Sequence, residues 1–290
     1  MRRNAMPVAL HRAVPALGLL LGACSPISMF DGLVPKDGGA RQVAKGVSYG
    51  EGPRQKLDVY APTGVAQGPR PVIVFFYGGS WNSGSRGGYG FVGRALAARG
   101  FVTVIPDYRL VPEVVYPGFV LDGANAVRWV RAHAKDYGGD GDRIVLAGHS
   151  AGAYIAAMLA VDDRWLGSDR EAVRGFAGLA GPYDFAPFTV GASIQAFGDW
   201  REPAETQPVT WAGAGDPPAL LLAGAEDSIV RPRNGDTLAA KLRAGGVPAV
   251  VKRYPGIGHI GILTAIARPF RGKAPVVDDV AAFADRVTRE

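Results

Sequence analysis

Along the chain, short runs of consecutive apolar residues alternate with stretches in which apolar positions recur every three or four residues. Residues 71–76, Pro-Val-Ile-Val-Phe-Phe, are apolar throughout, as a strand buried on both faces should be. Residues 89–99 are rich in alanine and stop at Gly100, the pattern of a helix and its end. A strand is predicted at 102–105, closed by Pro106. Val120, Ala124, Val127 and Val130 then recur at helical spacing before Gly138 and Gly139. Further strands are predicted at 144–147, 173–179, 219–223 and 247–254, and helices at 153–160, 237–243 and 276–289. Two short strands, near 43–49 and 56–60, precede them all.

Strand and helix in regular alternation mean βαβ units, hence an α/β fold with a mostly parallel central sheet flanked by helices. One domain is expected over residues 43–290. Residues 181–215, with proline, tryptophan and glycine but no period, read as a small insertion over a site.

The first residues follow a different pattern. Arg2, Arg3 and Arg12 precede a short apolar stretch at 13–23, and small residues lead up to Cys24. This is the layout of a signal peptide over residues 1–23, with about half of the ~20 apolar residues a membrane span needs. Leu21-Gly22-Ala23-Cys24 resembles a bacterial lipobox, and Cys24 is the single cysteine in the chain. The expectation is an exported bacterial lipoprotein held at the cell envelope, with Cys24 as lipid attachment and the bilayer as a partner. Ser25 in place of Asp fits outer-membrane sorting by family analogy. Residues 24–42 hold prolines and glycines with few large apolar residues, and read as a flexible tether.

Charge adds one exclusion. The 290-residue chain carries a formal +6, but removing residues 1–23 takes away three arginines and no acid, leaving +3 without a basic run. Nucleic acid is therefore not an expected partner. A lone cysteine rules out a disulfide framework, and four scattered histidines show no metal-ligand spacing, so no metal or cofactor is expected.

Chemistry concentrates at Gly148-His149-Ser150-Ala151-Gly152, a G-x-S-x-G sequence between the strand at 144–147 and the next helix. A tight turn there exposes the serine hydroxyl, making Ser150 the candidate nucleophile. It needs a base. His149 lies inside the turn and is expected to face elsewhere; His133 sits in an upstream helix. His259, in a loop after the last strand, is the candidate. A carboxylate must orient that base, and in the chain order Ser…Asp…His it falls between 150 and 259. Asp227, just past the strand at 219–223, is favoured over Glu226, Asp184 and Asp199. The glycine-rich Tyr77-Gly78-Gly79-Ser80-Trp81 follows the strand at 71–76 and could offer backbone N–H groups to an oxyanion. The N–H of Ala151 offers another.

From about residue 55 onward these motifs resemble the α/β-hydrolase superfamily, and within it esterases of the hormone-sensitive-lipase group and related bacterial carboxylesterases. The resemblance implies that residues 77–81 match that group's H-G-G-x-W oxyanion segment, with the N–H groups of Gly79 and Ser80 joining that of Ala151. It also matches the sequence Asp107-Tyr-Arg-Leu-Val-Pro-Glu113, in a structural role, to the group's D-Y-R-L-A-P-E. Tyr77 stands where the group has His, and His149 where its elbow has Asp. The group's N-terminal cap helices have no counterpart, which implies a fairly open site. The expected activity is cleavage of small-molecule carboxylic esters through an acyl-enzyme. The alternatives are an amide-cleaving relative, peptidase or arylformamidase in type, and a non-catalytic tethered binding protein.

Overall fold

The computed structural model describes residues 26–65 and 67–289. The signal peptide and Cys24 lie outside the described residues. Eight strands form one sheet: β1 (Ala40–Ser48), β2 (Lys56–Pro62), β3 (Arg70–Phe76), β4 (Val102–Pro106), β5 (Gly139–His149), β6 (Val173–Leu179), β7 (Ala219–Gly224) and β8 (Ala249–Tyr254), in the order β1-β2-β4-β3-β5-β6-β7-β8. β1 pairs antiparallel with β2, and β2 with β4; β3 to β8 are all parallel.

The strand order dictates where the helices go. The chain leaves β3 leftward to β4 through α2 (Gly90–Ala97), then returns rightward to β5 through α3 (Gly118–His133). Right-handed crossovers in opposite directions put these two helices on opposite faces. α4 (Ala151–Val161) links β5 to β6 and packs beside α3, whereas the C-terminal helix, α10 (Val276–Arg289), packs beside α2. The reversal between β3 and β5 opens a crevice at their C-terminal ends, the place where open α/β sheets hold ligands. The oxyanion segment follows β3 and the G-x-S-x-G turn follows β5, so both meet there. Every residue of α4 is buried, which explains a helix sequence with no charged residue at all.

The N-terminal segment corrects an expectation. From Pro26 onward the supposed tether is built into the domain. α1 (Pro26–Leu33) packs Phe30 against Phe91 and Phe270, and Asp31 Oδ1 accepts the N–H of Phe91 at 2.7 Å, in the first turn of α2. Asp37 pairs with both terminal nitrogens of Arg271 at 2.7 and 2.6 Å.

Several elements run longer than their periodicity suggested, β5 and α8 most at their starts. β5 starts at Gly139 rather than 144, because Gly139 already pairs with Arg70 of β3. α8 (Arg233–Ala244) starts at Arg233 rather than 237, directly after Pro232, whose fixed φ suits a helix start. The connection between β6 and β7 contains the short helices α6 (Gly191–Phe197) and α7 (Pro208–Trp211), with α5 (Asp163–Leu166) earlier in the chain, before β6.

Candidate active site

Ser150 sits between β5 and α4 with φ 55° and ψ −124°, a strained conformation that turns its side chain out of the sheet. Its N–H donates to Leu179 O of β6 at 2.9 Å. The turn tolerates this only because its neighbours are small. A Cβ on Gly152 would stand 2.1 Å from Phe76 O.

His259 reaches Ser150 from the far side of β7. It opens α9 (His259–Thr264) instead of lying in a free loop. Ser150 Oγ lies 2.9 Å from His259 Nε2, and His259 Nδ1 lies 2.8 Å from Asp227 Oδ2. A carboxylate can only accept, so Nδ1 carries the proton and Nε2 is left to accept from the serine hydroxyl. His259 and Asp227 are 7% and 5% exposed, so the pair is shielded from competing water. Asp227 Oδ1 in turn accepts the N–H groups of Ile229 and Val230 at 2.9 and 2.8 Å. Glu226 is exposed to solvent and takes no part. Asp184 lines the neighbouring cavity, and His133 is paired with Asp136 at the surface.

Gly79, Ser80 and Ala151 bracket Ser150. The first two have φ of 138° and 51°. Neither Gly79 N nor Ser80 N has an acceptor among the described residues. Ala151 N is the first N–H of α4, one of the donors a helix leaves unpaired.

The Tyr77 departure acquires a physical account. Its ring stacks between Tyr89 and Tyr108, at centroid distances of 5.3 and 4.7 Å. Its hydroxyl donates to Asp107 Oδ1 at 2.9 Å and accepts from Arg54 Nη2 at 2.8 Å. Burial pushes this phenol well above its ordinary pKa, so it stays a donor. Tyr108 closes the circle by donating to Tyr77 O at 2.9 Å, and Asp107 also takes the backbone N–H and guanidinium of Arg86. The 107–113 stretch thus anchors the oxyanion segment from behind, while Arg109 clamps the buried Asp122.

Sequence reasoning misplaced His149. It is buried, and its Nε2 donates to His259 O at 2.9 Å, with the two rings 4.8 Å apart. Burial, and secondarily the nearby His259, lower its pKa from 6.5 to about 3. The ring is therefore neutral, its Nδ1 unprotonated and without a donor among the described residues. Nothing in a G-H-S-A-G string tells which way that ring turns.

A cavity of about 530 Å³ opens beside Ser150. Trp81 and Phe185 line one side, the 228–233 segment another, and Val190 with Ser193 of the β6–β7 connection a third. Four consecutive N–H groups of its wall go to two side-chain amides. Asn234 Oδ1 accepts from Tyr183 N and Asp184 N, both at 2.9 Å; Gln207 Oε1 accepts from Phe185 N at 2.7 Å and Ala186 N at 3.2 Å.

A family model described as BD-FAE matches residues 57–242, most of the domain including Ser150 and Asp227. The chain belongs to this family. Esterase LipC of Mycobacterium tuberculosis is 31% identical over 268 residues, covering 84% of this chain and 65% of that protein. Isoprenylcysteine alpha-carbonyl methylesterase ICME of Arabidopsis thaliana is 28% identical, covering 84% and 62%. The chain thus spans just under two thirds of the length of these relatives. Among solved structures, the thermostable carboxylesterase EstE1 superposes with a TM-score of 0.74 at 23% identity, over 90% of this chain and 94% of that one. A truncated carbohydrate esterase from gut microbiota gives 0.75 at 20% identity, over 89% and 100%. These likenesses establish the α/β-hydrolase fold implied by the motif resemblance, with the mostly parallel sheet expected from the strand–helix alternation.

Proposed function

We propose that this BD-FAE chain hydrolyses carboxylic esters of small molecules. The observation that carries the reading is the row Ser150–His259–Asp227, at 2.9 and 2.8 Å, beside backbone N–H groups that lack partners. Ser150 Oγ attacks the ester carbonyl while His259 Nε2 takes its proton, and Asp227 stabilises the imidazolium. The N–H groups of Gly79, Ser80 and Ala151 hold the oxyanion of the tetrahedral intermediate. As it collapses, His259 returns the proton to the departing alkoxide. Water then repeats the cycle on the acyl-enzyme, activated by the same base.

The decisive experiment is fluorophosphonate labelling and turnover of an activated ester by the purified domain. Ser150→Ala should lose all labelling and lower kcat by roughly 10⁴–10⁶. Undiminished turnover in that variant would overturn the mechanism, and a panel of esters and amides separates ester from amide specificity.

From the lipobox-like Leu21-Gly22-Ala23-Cys24 we also propose that the protein is exported and anchored through a lipid on Cys24. With α1 packed from Pro26, a lipid at Cys24 would hold the domain against the bilayer instead of at the end of a leash. Cys24→Ser should abolish lipid labelling and membrane retention; labelling that persists would refute the anchor.

A further inference from the structure

One wall of the cavity carries two arginines, neither of them in an ion pair among the described residues. Residues 228–233 run from the acid Asp227 to the start of α8, and this backbone is pinned at both ends. Asp227 Oδ1 takes the N–H groups of Ile229 and Val230, and Asn234 Nδ2 donates to Arg231 O at 3.1 Å. Arg231 and Arg233 line the same cavity as Ser150. Neither guanidinium has an acceptor among the described residues. Arg86, Arg109, Arg164 and Arg271, by contrast, each hold a carboxylate.

Among the described residues Asp184 is the one carboxylate lining this cavity, and it forms no ion pair with either arginine. The lining therefore keeps an excess of one positive charge. The location is also unfavourable for the fold itself. α8 begins at Arg233, and the N-terminal end of a helix disfavours cations and favours anions. Two arginines placed there weaken the helix slightly and suit an anion held at the cavity mouth. Guanidinium groups match a carboxylate in geometry as well as in sign.

We propose that the preferred ester carries a second, free carboxylate, which lies along residues 228–233 and is held by Arg231 and Arg233. A single anionic group matches the net charge of the lining. The inference rests on the reading of Ser150 as the nucleophile.

The test compares matched esters that differ only in that charge. On the acyl side these are the mono-4-nitrophenyl ester of adipic acid and its methyl-capped analogue. On the leaving-group side they are 4-acetoxybenzoate and its methyl ester. In at least one pair, kcat/KM for the free acid should exceed that of the capped ester by roughly tenfold, mainly through KM. The preference should shrink as salt is raised, because the guanidinium groups are exposed. In the Arg231→Gln/Arg233→Gln double variant the ratio should fall to about one, with fluorophosphonate labelling reporting that Ser150 is intact; each single variant should show part of the fall.

A wild-type ratio at or below one in both pairs overturns the proposal, as does a ratio that survives the double substitution. Turnover of the capped esters without any preference removes this inference alone. No turnover and no labelling of Ser150 would remove the ester-hydrolase reading, and this one with it.

Discussion

His149 donates its Nε2–H to the backbone carbonyl of His259, 2.9 Å away. The residue before the nucleophile thus holds the main chain of the residue that serves it. Ser150 and His259 are 109 positions apart, and besides their own hydrogen bond this is the bridge between the elbow and α9. His149 touches no reacting atom. In the proposed reaction it positions the imidazole that does.

Replacing His149 should therefore separate shape from donor. Glutamine can still donate to His259 O, while leucine fills space and donates nothing. His149→Leu is expected to lose roughly ten- to a hundredfold in kcat with little change in KM, since a small misplacement of a catalytic group costs that much. His149→Gln should recover most of it. Steady-state kinetics on one activated ester decide; equal activity of the two variants would mean the ring is only filler.

The neutral state of His149 predicts a pH-dependent stability. Its pKa is about 3 in the folded protein against an ordinary 6.5. The unfolded chain takes up a proton below about pH 6.5, and the folded chain does not until about pH 3. This group's contribution is complete above 6.5 and is lost as pH falls towards 3, amounting to roughly 2–3 kcal/mol at pH 4.5. Urea unfolding of the wild type and His149→Gln at pH 7 and pH 4.5 isolates it. The variant should lose less stability over that interval, and parallel losses would contradict the assignment.

Asp227 uses its two oxygens for different purposes, and two substitutions tell them apart. Asp227→Asn can keep Oδ1 on the N–H groups of Ile229 and Val230 but presents an amide to His259, favouring the wrong tautomer. A loss of about 10⁴ in kcat is expected, with the melting temperature little changed. Asp227→Ala should lose the same activity and also about 1–3 kcal/mol of stability, because the two loop N–H groups lose their acceptor. Thermal melts beside kinetics test the split.

Asn234 and Gln207 each accept two successive N–H groups of the cavity wall. Truncating either to alanine should cost about 1–3 kcal/mol, the penalty for buried donors left unpaired. KM should rise more than kcat falls, since the wall moves and the triad does not. Chemical denaturation with ester kinetics checks both; an unchanged KM in the two variants would mean that the wall holds its shape without these amides.

How much of this was legible beforehand follows from the range of each interaction. β3 and β6 are buried along nearly their whole length, so their apolar runs stood out in the sequence. Ser150 was readable because a strand, a tight turn and a helix adjoin within a dozen residues. Asp227 and His259 could be named because each closely follows a strand of a sheet whose order is constrained. α1 was missed because its eight residues make barely two turns, too short for a period to stand out among prolines and glycines, and it is held by Phe91 and Phe270, remote in sequence. The amides of Asn234 and Gln207 were invisible for the same reason: their partners lie about 20 to 50 residues away. The direction of the His149 ring depends on packing that no local pattern encodes.

The segment after Asp227 is fastened entirely by its main chain: two N–H groups to one carboxylate oxygen, one carbonyl to an amide. The side chains of Ser228, Ile229 and Val230 make no hydrogen bond among the described residues, whereas the length of the segment is fixed at both ends. A library that randomises Ser228, Ile229 and Val230 should yield many folded, active members with altered substrate ranges. A single inserted or deleted residue in the same stretch would pull on Asp227 itself and should abolish the proposed ester turnover. Diversification at this wall is thus open to substitution and closed to changes of loop length, a rule that any family tree or directed-evolution series of this protein can be held against.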